Sequence, residues 1–87
     1  RVFGYGASGQ ANTLMNVFGI DSNDLEFIID DSPLKEDLFT PINNIQIKNK
    51  DFLHANMPDC IYILAYTFSD EIINKNNALK CKWEKAV

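Results

Sequence analysis

The spacing with the most chemical content opens the chain. Gly4-Tyr5-Gly6-Ala7-Ser8-Gly9 reads G-x-G-x-x-G, preceded by the apolar pair Val2-Phe3. A helical pattern follows it, with Ala7, Ala11, Leu14, Met15 and Phe18 on one face. Strand, glycine turn and helix form the context in which this motif binds anions. Gly4 would allow a tight turn, Gly6 a close backbone approach to a ligand, and Gly9 close strand–helix packing. The unpaired N–H groups of the first helical turn, aided by the helix dipole, favour a negative group there. Gly6, Ala7, Ser8 and Gly9 are therefore the first candidates for phosphate contacts. Gln10 and Asn12 either assist them or form a solvated helix face.

A carboxylate extends the pattern. The apolar run from Leu25 to Ile29 ends in Asp30, 21 residues after Gly9. An acid at that distance closes the second strand of a dinucleotide fold and accepts hydrogen bonds from ribose hydroxyls. Lys35 follows a short turn and could reach a phosphate. Tyr66 and Thr67 stand at the end of an apolar strand, where they could stack on a base or bond a sugar. The competing reading is that the glycines only shape a tight turn and the lysine is ordinary surface. No catalytic residue or metal ligand set emerges. His54 is the only histidine and has no nucleophile near it in sequence. Asp30 and Asp31 are adjacent, so in an extended segment their side chains point apart.

These residues need elements to position them. The first helix should stop at Gly19, in the left-handed conformation, with Ile20 as the following apolar contact. Asp21 to Asp24 forms a turn, and strand two runs from Leu25 to Asp30. Ser32-Pro33 opens a short helical turn through Leu38. A loop broken by Pro41 leads to a short edge strand over Ile45 to Ile47. Asn49 caps a helix through His54. Cys60 to Tyr66 is the clearest strand, with Cys60 as a buried thiol. Ser69 caps a final helix to about Lys80. An alternation of Leu79, Cys81 and Trp83 instead suits a strand. Together these predict an α/β fold: a small Rossmann-like three-layer sandwich with a mostly parallel sheet. Strand two flanks strand one on one side and the Cys60 strand on the other. The ligand crevice lies between them, beyond the carboxyl ends of the strands, lined by residues 6–9 and 66–69.

The totals bound the class. The 87 residues make one small domain, expected to bury ~60–65% of its unfolded surface. A net charge of −4, with eight scattered basic residues, argues against a nucleic-acid partner. No run approaches the ~20 apolar residues of a membrane span. Two cysteines are too few for a disulfide scaffold, and a reducing, cytoplasmic setting fits. The opening, without Met and almost inside a strand, suggests a domain cut from a longer protein.

Several blocks match a known pattern. Gly4 to Asn16, GYGASGQANTLMN, resembles the start of the C-terminal domain of the sugar C-methyltransferase family. That start reads GYGA, two variable residues, then K-G-x-T-L-L-N. Asp30 to Lys35 resembles the family's acid, x, Asn-Pro, x, Lys, and Phe39-Thr40-Pro41 its aromatic-Thr-Pro. Asp59 to Ile72 resembles its apolar strand, followed by Ala-Trp-Asn and Glu-Ile. The resemblance implies residues 1–87 as a single Rossmann-like domain, the C-terminal part of an S-adenosylmethionine-dependent methyltransferase. It would help to hold a nucleotide-linked sugar, beside a preceding methyltransferase domain that binds the cofactor, and would itself bind no cofactor and do no methyl transfer. Gln10-Ala11 replaces Lys-Gly, Leu38 stands where a basic residue would be, and Tyr66-Thr67 replaces Trp-Asn. These changes imply weaker phosphate binding or a different ligand. The motif with Asp30 also suits an NAD-binding domain of an oxidoreductase, and a vestigial loop would suit a structural or oligomerisation module.

Overall fold

Val2–Tyr5 (β1) is the central strand of the computed structural model, which describes residues 1–40, 44–76, 79 and 81–85. The other strands are Ile28–Ile29 (β2), Ile47–Lys48 (β3), Cys60–Ile63 (β4) and Lys82–Lys85 (β5). They form one sheet in the order β3-β2-β1-β4-β5, with every pairing parallel. The expected placement of β2 and β4 on either side of β1 is thus observed. Helices Gly9–Phe18 (α1), Lys50–Ala55 (α2) and Ser69–Lys75 (α3) complete the layers.

Period-two alternation sends successive β1 side chains to opposite faces. Phe3 and Tyr5 join Ile29, Ile61 and Ile63 on one face, with Leu53 of α2 and Ile72 of α3 packed over them. The other face carries Ile28, Leu25, Ile45 and Leu64 under Ala11, Leu14 and Met15 of α1. Phe3, Met15, Ile28, Ile29, Leu53, Ile61, Ile63 and Leu64 are fully buried. Each such large side chain contributes about 1.5–3 kcal/mol. Gly4 lies within β1 rather than in the turn. It makes room for the second layer, because a Cβ there would stand 2.8 Å from Leu64 Cδ1.

The local signals hold in several places. Gly19 takes the left-handed conformation (φ 66°), and its N–H and that of Ile20 both donate to the Met15 carbonyl. Ile20 packs against the α1 layer, whereas Phe18 is exposed. The reversal at Gly19 brings Ile20 to the cluster in its place. Asn49 Oδ1 accepts from the Phe52 N–H and caps α2. His54 is exposed in the last turn of that helix.

Other boundaries shift. Strand β2 is shorter than expected, because Leu25 still belongs to the turn and donates to the Asp21 carbonyl. The turn after Ser32 is a single 3-10 turn, Pro33–Lys35. β3 begins at Ile47 and β4 ends at Ile63, where Leu64 and Ala65 bend back to bond the Tyr5 carbonyl. Cys60 is half-buried rather than enclosed. A 3-10 turn, Tyr66–Phe68, runs directly into α3, so Phe68 holds the N-cap position and Ser69 is the first helical residue. The α3 helix stops at Lys75. Asn76 donates its side-chain amide to the Ile72 carbonyl and its backbone N–H to the Ile73 carbonyl. The chain then forms β5, whose Trp83 pairs with Ile61. Of the earlier expectations, those at Pro41 and Lys80 lie outside the described residues. Beyond β3, Phe39 and Gln46 form an antiparallel bridge, and the Ile47 N–H donates to the Leu38 carbonyl. The outermost strand on the other side, β5, begins and ends on exposed lysines.

Candidate functional site

The bend between β1 and α1 is set by Gly6. Its φ of +96° is one that L side chains rarely adopt, and a Cβ there would lie 2.5 Å from Ala65 Cβ. The close approach that this glycine permits is therefore to the end of β4. Gly9, by contrast, has nothing within 4 Å of a Cβ position, so it serves no strand–helix packing. Ser8 stands at the N-cap of α1, and its Oγ accepts from the Ala11 N–H.

Both polar groups of Ala7 are held by residues from the segment after β2. The Ala7 N–H donates to Asp30 Oδ2 at 2.7 Å, and Lys35 Nζ donates to the Ala7 carbonyl at 2.7 Å. Asp30 Oδ1 also accepts from the Ser32 N–H at 2.8 Å. Asp30 and Lys35 thus fix the glycine bend. The Ser8, Gly9 and Gln10 amides have no hydrogen-bond acceptor among the described residues. Thr67 Oγ1 donates to Gln10 Oε1 at 3.3 Å, joining the starts of α1 and α3 across the sheet rim. The Tyr66 side chain lies outside what is described.

A cleft of about 300 Å³ opens where β1, β2 and β4 end. Its walls include Gly6 and Ser8 from the bend, Asp30 and Asp31 after β2, and Ala65, Phe68, Glu71, Ile72 and Lys75 from the β4–α3 side. A second, polar hollow of about 200 Å³ shares Asp30 and Asp31 and adds Asn49, Lys50 and Asp51. Of the expected site residues, Gly6, Ser8 and Asp30 face the cleft. Ala7, Gly9, Gln10, Lys35 and Thr67 stand behind or beside it.

Sequence reasoning missed the group at the cleft's centre. Tyr5 is buried, and its hydroxyl donates to Asp31 Oδ1 at 2.8 Å. Lys75 Nζ approaches Asp31 Oδ2 at 3.0 Å, and Lys50 Nζ lies 3.5 Å from Oδ1. Burial raises the Asp31 pKa, but the bonds from Tyr5 and Lys75 and the nearby ammonium charges outweigh it and hold the carboxyl below its ordinary range. Burial, then the Asp31 hydrogen bond, pushes the Tyr5 hydroxyl well above its ordinary range. Both groups therefore keep one protonation state at neutral pH: a fixed donor and a fixed anion. The signal was present in the period-two pattern, which places Tyr5 beside the β2 end, but no local rule links it to Asp31. Burial also raises the Cys60 and Cys81 thiols, which leaves both protonated and poor nucleophiles.

The arrangement can orient a small polar molecule by hydrogen bonds and apolar contact. No helix of the described residues is long and apolar enough to cross a membrane. A family model described as the C-methyltransferase C-terminal domain matches residues 1–86. No curated protein matches the chain.

Proposed function

The chain belongs to the C-methyltransferase C-terminal domain family, and from that premise we propose that it holds the nucleotide-linked sugar on which a methyltransferase domain of the same chain acts. It contributes no methyl-transfer chemistry of its own. S-adenosylmethionine belongs to the preceding domain, and the setting is cytoplasmic. The observation that carries this reading is the cleft beyond the ends of β1, β2 and β4, where the strand order reverses. Open parallel sheets bind their ligands at that place. The Ser8, Gly9 and Gln10 amides supply donors for a phosphate beside it, and the dipole of the ten-residue α1 favours the negative charge. Gly6, Ala7, Ser8, Gly9 and Gln10 form the phosphate side, with Asp30 and Lys35 setting its shape and Tyr66 and Thr67 on the far rim.

Titration of the chain with nucleoside diphosphates and nucleotide-linked sugars, followed by amide chemical shifts, tests the reading. Saturable shifts at residues 6–10 are expected. Shifts confined elsewhere, or none, would overturn it.

A further inference from the structure

The three helices cover the sheet unevenly. α2 and α3 pack over the face that carries Ile61, Ile63 and Trp83, and α1 packs over the other. On the α1 side, Val2 and Tyr62 are half-buried neighbours of the helix cluster, and no residue of β5 belongs to it. Alternation puts Cys60 beside Tyr62 on that face, and the register sets Lys82 next to Cys60 and Glu84 next to Tyr62. Among the described residues, neither core cluster includes Cys60, Lys82 or Glu84. The Lys82 side chain is 72% exposed and that of Glu84 46%. Their charged groups pair with each other at 3.0 Å, so the patch is neutral. All-parallel sheets are otherwise covered on both faces. The half of the α1 face over β4 and β5 is thus a layer without its helix.

The size of the patch and its place select the occupant. Two strands of four residues, at ~3.3 Å per residue and ~4.8 Å apart, span roughly 13 by 10 Å, on the order of 130 Å². A stable dimer needs about 800 Å² from each partner, so this patch does not hold a second copy. A tethered segment needs far less, because its effective concentration is in the millimolar range. The Arg1 carbonyl accepts from the Asp59 and Cys60 N–H groups, so the start of β1 lies at the border of the patch. About nine helical residues, at ~1.5 Å each, match its length.

Resting on the reading that a methyltransferase domain precedes this one, we infer that an amphipathic helix leading into β1 covers the β4–β5 half of the α1 face. Its apolar stripe lies on Tyr62 and Cys60, and its flanks meet Lys82 and Glu84. The helix completes the α1 layer and ties the orientation of the sheet to the domain before it.

Cys60 lies on the patch and Cys81 packs against the opposite face, so the two thiols report on it. Alkylation by iodoacetamide at one pH, read by peptide mass spectrometry, compares the 87-residue chain with the full methyltransferase. Cys60 is expected to label at least about tenfold more slowly in the full protein, and Cys81 to change less than about twofold. Tyr62→Asp in the full protein sets a charge beneath the helix and should return Cys60 toward the rate of the shorter chain. The comparison of the two lengths stands should that variant not fold. A photo-crosslinking amino acid at position 82 should capture the segment just before Arg1. Equal Cys60 rates in the two lengths would overturn the inference. So would capture of a second copy, or of a distant part of the methyltransferase domain. With amide shifts persisting at residues 6–10, either result leaves the nucleotide-sugar reading standing. Silence at those amides, with Cys60 protected and the crosslink formed, would remove that reading and leave the helix.

Discussion

The Tyr5 hydroxyl reaches from the buried face of the sheet to Asp31 Oδ1, 2.8 Å away at the cleft wall. Core and site are joined there, so the ionisation of one residue bears on the other. The folded state holds Tyr5 above its ordinary 10.0. Its contribution is therefore complete below pH 10 and is lost as pH rises through the folded value. Asp31 behaves in the opposite sense. Held below its ordinary 3.8, it contributes above that pH and loses the contribution as pH falls through the lower folded value. Tyr5→Phe should cost about 1 kcal/mol at pH 7, allowing for the partial exposure of Asp31. It should also flatten the fall in stability above pH 10. Urea midpoints for both proteins between pH 7 and pH 11.5 would check this; parallel curves would refute it.

Two glycines of one motif should respond with opposite signs. Gly6→Ala forces a Cβ to within 2.5 Å of Ala65 Cβ at a φ of +96°. A loss of about 2–3 kcal/mol is expected. Gly9→Ala meets nothing within 4 Å and begins a helix, so a gain of up to about 0.5–1 kcal/mol is expected. Thermal unfolding of the two variants reads the difference directly.

The clamp on Ala7 makes a third prediction. Asp30→Ala removes the acceptor for both the Ala7 and Ser32 amides and should cost about 2–3 kcal/mol. Lys35→Met removes only the bond to the Ala7 carbonyl and should cost about 1 kcal/mol. Hydrogen exchange at Ala7 should speed up in the Asp30 variant and change less in the Lys35 variant. Equal protection in all three proteins would mean that the bend holds its shape without them.

What the sequence makes legible follows the range of each interaction. The α1 stop at Gly19, the Asn49 cap and the apolar run of β4 depend on a few neighbouring residues, and local rules find them. The sheet order follows from alternating strands and helices. The end of α3 was harder to read, because Asn76 stops the helix with a side-chain bond to Ile72 that helical periodicity does not encode. The acid after β2 is visible as a type, but its partners are not. Asp30 bonds across 23 residues to Ala7, and Asp31 across 26 to Tyr5 and 44 to Lys75. Phe68 falls within the expected crevice lining, residues 66–69, but its 56% exposure is not legible in the sequence, where an aromatic beside a strand end reads as core.

The two borders of the sheet carry a consequence for concentrated solutions. Residues 37–39 already occupy the outer hydrogen-bonding groups of β3, bonding to Ile47 on both its N–H and its carbonyl. On the far border, β5 offers only four residues, with exposed lysines at both ends and Glu84 between them. A sheet so finished does not recruit strands from neighbouring molecules, and that protects an 87-residue chain with a modest core from fibrous self-assembly.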